Sequence, residues 1–195
     1  MFTPRTAALG LLCPLALITA CAQAPTVTPT PAPIIRCTPE AGGAEYDCSQ
    51  AQHDEMVAKD RLYAEAEAVF RRAFAENIRI SRAGGSPEAT PVMLETAAGD
   101  FLDGLRSEYA RLVAEQLRAK GRDPKIVSVM RLPGKSKGGS VVALRVCVDA
   151  SDWSFYRDGK AISHGFPAAD DIYFATLDGR IRMIGADGRK VERCN

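Results

Sequence analysis

Residues 171–185 read DIYFATLDGRIRMIG. Two strand-like runs, 171–177 and 180–185, flank Asp178-Gly179. A two-residue Asp-Gly loop between such runs is a strong hairpin signal, because it supplies the positive φ angles of the tight turn that matches strand twist. Strands joined this closely are antiparallel.

The same period of two extends upstream. In SVVALRVCVD (140–149), Val142, Leu144, Val146 and Val148 alternate with Val141, Ala143, Arg145 and Cys147. Arg145 marks the second face as the more exposed one, and a C-terminal tail bonded at Cys147 would cover part of it. KIVSVMRL (125–132) reads as a strand ending in a PGKSKGG turn. Trp153 to Tyr156 forms another strand that turns at Asp158-Gly159, with His164 in the loop beyond. Asp187-Gly188 is expected to turn the chain again toward Cys194.

Before Pro124 the period is helical. Ser49 and Gln52 form a capping box, and Leu62, Ala66, Phe70, Phe74 and Ile78 recur every four residues, widened by Val69 and Ala73. Lys59, Glu65, Arg72 and Glu76 occupy the opposite side, as on an amphipathic helix at a protein surface. Gly84-Gly85 ends this helix near Ile80. Thr90-Pro91 starts a short second helix through about Ala97. Asp100 is expected to cap a third, with Phe101, Leu105, Tyr109, Leu112 and Leu117 on one face and Gly121 as its stop. Three helices followed by four or five antiparallel strands predict an α+β domain, with helices packed on one face of a curved sheet.

This element order resembles the NTF2-like cone, in which a bent sheet wraps a long N-terminal helix; a cystatin-like fold is the alternative. CTPEAGGAEYDCSQAQHDEMVAKDRLYAEAEAVFRRAFAENIRI, VCVDASDWSFYRDGKAI and the terminal cysteine are similar to a group of largely uncharacterised actinobacterial lipoproteins. That group often places Trp shortly after the last hairpin turn, where this chain has Ile181. The resemblance implies an envelope location and disulfides, and it brings no activity with it. NTF2-like cones commonly enclose a pocket, and some use an Asp or His there for isomerase-like or dehydratase-like acid–base chemistry.

The N-terminal region carries an address. Arg5 precedes an apolar or small stretch, TAALGLLCPLALITA (6–20), which is the pattern of a secretory signal. The stretch is shorter than the roughly 20 apolar residues that a membrane span needs. Ile18-Thr19-Ala20-Cys21 resembles the lipobox of bacterial lipoproteins. The resemblance implies that residues 1–20 are removed and that Cys21 receives a diacylglycerol and becomes the new N-terminus. Two acyl chains on one residue satisfy the requirement for stable anchoring, which a single chain does not. Residues 22–36, AQAPTVTPTPAPIIR, favour extended polyproline II at about 3.1 Å per residue, a tether on the order of 45 Å long. The expected organisation is therefore a signal over residues 1–20, a lipidated Cys21 and tether over 21–36, and one domain over 37–195, held at the outer face of the cytoplasmic membrane.

The chain has 25 basic and 24 acidic residues, too even a balance for a nucleic-acid binder. Beyond Cys13 and Cys21, four cysteines remain: Cys37, Cys48, Cys147 and Cys194. An even number in an exported chain reads as two disulfides with three possible connectivities. Cys37–Cys48 and Cys147–Cys194 are favoured, since the first closes a Gly-rich loop and the second pins the C-terminus to a strand. Loops of these sizes correspond to about 3–4 kcal/mol each. No C-x-x-C pair supports zinc.

Chemistry is not spelled out in a motif. G-x-S-x-G, P-loop, G-x-G-x-x-G and H-E-x-x-H patterns are absent. Candidate pocket groups are Asp149, Asp152 and His164, with Tyr63 or Tyr109 as hydroxyl donors. Asp149 and Asp152 flank a turn, where Asp is favoured for local hydrogen bonds, and His53 lies on a polar helix face. Asp170-Asp171 is read as a solvated strand start. Trp153 and Phe155, two apart, share a strand face and are assigned to the core. The residues assign no catalytic, cofactor-binding or metal-binding position. The expected role is a lipid-anchored envelope protein that binds a small apolar ligand or an envelope partner, with a pocket enzyme as the alternative. Changing Cys21 to Ser removes the acylated thiol, so Cys21→Ser should move the protein from the membrane fraction to the soluble fraction on cell fractionation. Unchanged membrane retention would refute the anchor.

Overall fold

The computed structural model of the chain describes residues 33–194. They form an α+β unit in which helices pack on antiparallel sheets. The signal stretch, Cys21 and most of the expected tether lie outside the described residues.

The domain begins before Cys37. Strands β1 (Ile35–Cys37) and β2 (Tyr46–Cys48) form a hairpin in which Ile35 faces Cys48 and Arg36 faces Asp47. Cys37–Cys48 ties this hairpin, and the Tyr63 hydroxyl donates to Glu40 in its loop. Helix α1 (Gln50–Ala83) follows with the expected cap: Ser49 Oγ accepts from the Gln52 backbone N–H at 3.3 Å, and Gln52 Oε1 accepts from the Ser49 N–H at 2.9 Å. Helix α2 (Pro91–Thr96) is capped by Thr90, whose hydroxyl accepts from Met93 N–H.

Helix α3 (Gly99–Ala114) is shorter than the sequence predicts, and it is not capped by Asp100; its N-cap position is Ala98, which makes no side-chain cap bond. At the other end Gln116 takes a left-handed φ of 54° and reverses the chain. Leu117 is buried beyond the helix, and residues 118–121 become strand β3 (Arg118–Gly121). The reason lies in the spacing: after Glu115 the buried positions are Leu117 and Ala119, a period of two that one Leu cannot distinguish from a helical turn.

Beyond the β1–β2 hairpin, the described strands divide into two further sheets. One holds β3, β6 (Trp153–Arg157) and β7 (Lys160–His164), with Ala119 opposite Phe155. The other runs in the order β4 (Lys125–Arg131), β5 (Val142–Asp149), β8 (Pro167–Leu177) and β9 (Arg180–Lys190), all antiparallel. Asp178 and Gly179 close the β8–β9 turn with φ of 51° and 72°, as the Asp-Gly pair requires. Both arms are longer than predicted. Asp187-Gly188 is no turn: it pairs with Asp171 and Asp170 inside the ladder. For the same reason Asp170-Asp171 lies within β8 and does not begin it. Irregularities between Ile126 and Ser128 and between Tyr173 and Phe174 interrupt the register, and such bulges bend a sheet.

The main core lies between α1 and the helix-covered face of the four-stranded sheet. Tyr63, Ala66 and Phe70 pack against Val142, Leu144, Val146, Ile172, Phe174, Ile181 and Met183. Each large apolar side chain removed from water contributes about 1.5–3 kcal/mol. A second cluster, Ile80, Met93, Tyr109, Leu112 and Leu117, joins the end of α1 to α2 and α3.

The other face of the sheet is also covered. Cys147–Cys194 brings the C-terminal tail back to β5. The 132–140 segment reaches the face as well: Leu132 N–H donates to Ala143 C=O at 3.0 Å, and Lys135 and Lys137 pair with Asp171 and Asp187. Asp171 is buried and receives Arg145 Nε at 2.6 Å and Nη2 at 2.9 Å. These bonds from Arg145, aided by Lys135 and opposed by desolvation, hold its carboxyl down at about 2. Because the folded value lies below that of a free aspartate, the contribution is present above about pH 4 and lost as pH falls toward 2. Asp171→Asn should therefore cost on the order of 2 kcal/mol at pH 7 in urea unfolding. It should also flatten the stability profile between pH 4 and 2; an unchanged acid limb in the variant would contradict this role.

Candidate functional site

Along β8 and β9 the helix-covered face changes character. Toward the Asp178-Gly179 turn it carries Phe174, Ile181 and Met183, which fill the core. Away from the turn the same alternation brings Ala168 and Asp170 on β8 and Ala186 and Gly188 on β9. Side chains this small do not reach the helices, and a cavity of about 500 Å³ remains. Helix α1 supplies Phe74 and Asn77, α3 supplies Phe101 and Tyr109, and β6 supplies Trp153 and Phe155. The helical residues recur three and four apart, so one face of each helix serves both the core and the cavity wall.

Polar groups in this cavity are few. Tyr109 donates its hydroxyl to Asn77 Oδ1 at 2.8 Å. Burial pushes that hydroxyl well above the usual tyrosine value, and the Glu76 and Glu108 charges add to the effect, so the group stays protonated. Glu108 lies at the exposed rim and is held by Arg111 at 2.7 Å. Trp153 is buried, with the Arg82 guanidinium 4.9 Å from its ring centroid. Arg82 in turn binds Asp123 and the Gly121 carbonyl.

Asp170 is the exception. Its carboxyl is partly buried and makes no side-chain hydrogen bond among the described residues. Burial pushes its pKa up, the neighbouring Asp171 charge raises it further, and Arg189 lowers it. The carboxyl lies over the backbone of Gly188, where an added Cβ would come within 2.4 Å of Asp170 Oδ1. Glycine at 188 therefore makes the room in which this acid sits.

The residues singled out from sequence are distributed unevenly. Tyr109, Trp153 and Phe155 meet in the cavity. Asp149 does not: it is exposed and accepts from the Ser151 hydroxyl at 2.6 Å and N–H at 3.0 Å, bonds that lower its pKa. Asp152 is exposed beside Arg122. His164 lies in β7, not in a loop; it is exposed, with Nδ1 3.2 Å from Ser154 Oγ. Tyr63 belongs to the filled core, where its hydroxyl is given to Glu40. His53 faces Asp54 on α1. Asp170 was the residue missed, and parity was the available signal, since it shares a strand face with Ala168, Ile172 and Phe174.

Another hollow of about 510 Å³ lies between α1 and the β8–β9 turn. Glu65, Arg72, Glu95 and Arg180 line it, and Arg72 pairs with Glu95, so it reads as a solvated groove. Among the described residues, no cluster of His, Cys, Asp and Glu could hold a metal, and no helix is long and apolar enough to cross a membrane.

No family model matches the chain, and no curated protein does. Among solved structures, the intermembrane space region of the chloroplast protein ARC6 is 12% identical, with 60% of this chain and 95% of that one covered at a TM-score of 0.41. A de novo β-sheet design is 14% identical, with 66% and 95% covered at 0.34. At these scores neither likeness carries an argument about this chain.

An unpaired, partly buried carboxylate is a cost to the fold that an uncharged isostere does not incur. Asp170 titrates higher in the folded state, so its penalty is present at neutral pH and relieved as pH falls through its titration. Asp170→Asn should accordingly raise the thermal midpoint at pH 7, with the gain shrinking on acidification, whereas Asp152→Asn should change little. A lower midpoint for Asp170→Asn at pH 7 would mean that the carboxylate is a structural anchor.

Proposed function

We propose that this chain is an exported, lipid-anchored envelope protein whose domain is an NTF2-like cone that binds a small, largely apolar ligand. The observation that carries the reading is the cavity of about 500 Å³ between α1, α3 and the sheets. Its volume falls within the usual range for small-molecule sites, and its wall has the usual makeup of aromatic and aliphatic groups with a few polar ones. The two disulfides are consistent with an exported protein. The signal-like stretch, the lipobox-like Cys21 and the Pro/Thr tether place the anchor in this reading. The long α1 against a bulged antiparallel sheet supports the cone. An envelope protein docking on the other sheet face is a weaker fit, because ion pairs and a disulfide already occupy that face.

A second reading, an isomerase-like or dehydratase-like pocket enzyme, draws on Asp170, a carboxyl of raised pKa in apolar surroundings. Binding fits better: the Tyr109 hydroxyl, which an enzyme of this kind would use as a donor, is committed to Asn77.

Trp153 is the sole tryptophan of the chain and lines the cavity, so it reports occupancy directly. Titrating the full chain with N-phenyl-1-naphthylamine, a neutral apolar fluorophore, should quench Trp153 and brighten the probe. Ala168→Leu, which extends a side chain into the cavity, should weaken both signals at least tenfold. An equal response in that variant, or no response in the parent, would refute cavity binding.

A further inference from the structure

We propose that the ligand is an organic cation, an amine or quaternary ammonium on an apolar body, with its charged head against Asp170 and its body against the aromatic wall. The inference rests on the cavity-binding reading and names its ligand class.

The wall is built for positive charge. Phe74, Phe101, Tyr109, Trp153, Phe155 and Phe166 line the cavity. Aromatic faces are electronegative and attract ammonium groups, more strongly when water is excluded. The charged residues around the cavity agree. No Lys, Arg or His lines it. Arg111 is engaged by Glu108 at the rim, Arg82 by Asp123 beside Trp153, and Lys190, opposite Ala168, lies 4.9 Å from the Phe166 ring at the margin without lining the cavity. Arg189 stands opposite Ala169 in the β8–β9 ladder, a position whose side chain leaves on the face away from Asp170. Among the described residues that line the cavity, the charge without a side-chain partner is therefore the Asp170 carboxylate.

The alternatives fit the same wall poorly. An anionic ligand would meet Asp170 and Glu108 with only neutral donors, the Asn77 amide, the Ser81 hydroxyl and the Trp153 indole N–H, to compensate, since the Tyr109 hydroxyl is already given to Asn77. A neutral apolar ligand would displace water from Asp170 and leave a desolvated carboxyl without a hydrogen bond. An ammonium head supplies N–H donors or a counter-charge at that point, and it converts a penalty of the empty cavity into a contact of the filled one. Gly188 contributes by leaving space for the carboxyl.

The test compares near-isosteric probes that differ in charge. Isothermal titration calorimetry of the full chain at pH 7 with 1-naphthylmethylamine and 1-naphthylmethanol should show the amine binding at least tenfold tighter. Asp170→Asn should abolish that preference while leaving the alcohol affinity within about threefold. Gly188→Ala, which displaces the carboxyl without removing its charge, should reduce the preference and provides a second route if Asp170→Asn folds poorly. Equal affinity for the two probes, or a preference that survives both substitutions, would overturn the cation assignment and leave cavity binding standing. Failure of both probes to bind would remove the cavity reading itself.

Discussion

The packing of α1 across one face of the four-stranded sheet is the constraint on which the remaining structure depends. Tyr63, Ala66 and Phe70 must meet Val142, Leu144, Val146 and Phe174, and this contact sets where α1 sits over the strands. Once it is set, the later turns of the helix, carrying Phe74 and Asn77, extend over the part of the face where, beyond Ile172, β8 and β9 bear Ala168, Asp170, Ala186 and Gly188. The cavity is the geometric remainder: the backbones are held apart by large residues at one end, and small ones leave the other end unfilled.

Asp170 and Asp171 show how strand geometry separates two adjacent identical residues. Successive side chains leave opposite faces of a strand. Asp171 enters a covered polar network with Arg145 and Lys135 and is stabilised as an anion. Asp170 enters an apolar hollow without a partner and is destabilised as one. The first is part of what holds the outer face closed. The second is a group whose environment makes sense when something else occupies the cavity, because an uncompensated carboxyl lowers stability and a bound counter-charge offsets it.

The crosslinks work at the margins of this arrangement. Cys37–Cys48 organises a hairpin at one end of α1, and Cys147–Cys194 fastens the C-terminal tail over β5. None of their half-cystines is among the residues that line the cavity. They secure terminal segments that have few apolar residues of their own to bury, while the central core remains the work of α1 and the sheet.

Residue patterns alone were enough for what depends on local period and local turn chemistry: the capped amphipathic α1, the short α2, the β5 and β8 alternation, the Asp178-Gly179 hairpin and a preferred cysteine pairing. They misplaced the end of α3, because Leu117 fits a helical face as well as a strand and only the pairing of Ala119 with Phe155 decides between them. They ended the hairpin early, because Asp187-Gly188 has the composition of a turn and only the ladder to Asp170 and Asp171 keeps it extended. Tyr109, Trp153 and Phe155 were legible as apolar or aromatic positions on a face. That they converge with Asp170 was not, since the convergence is a property of distances between elements far apart in the chain. Periodicity states which way a side chain points; tertiary packing alone decides whether the space it points into is filled, open to water or hollow.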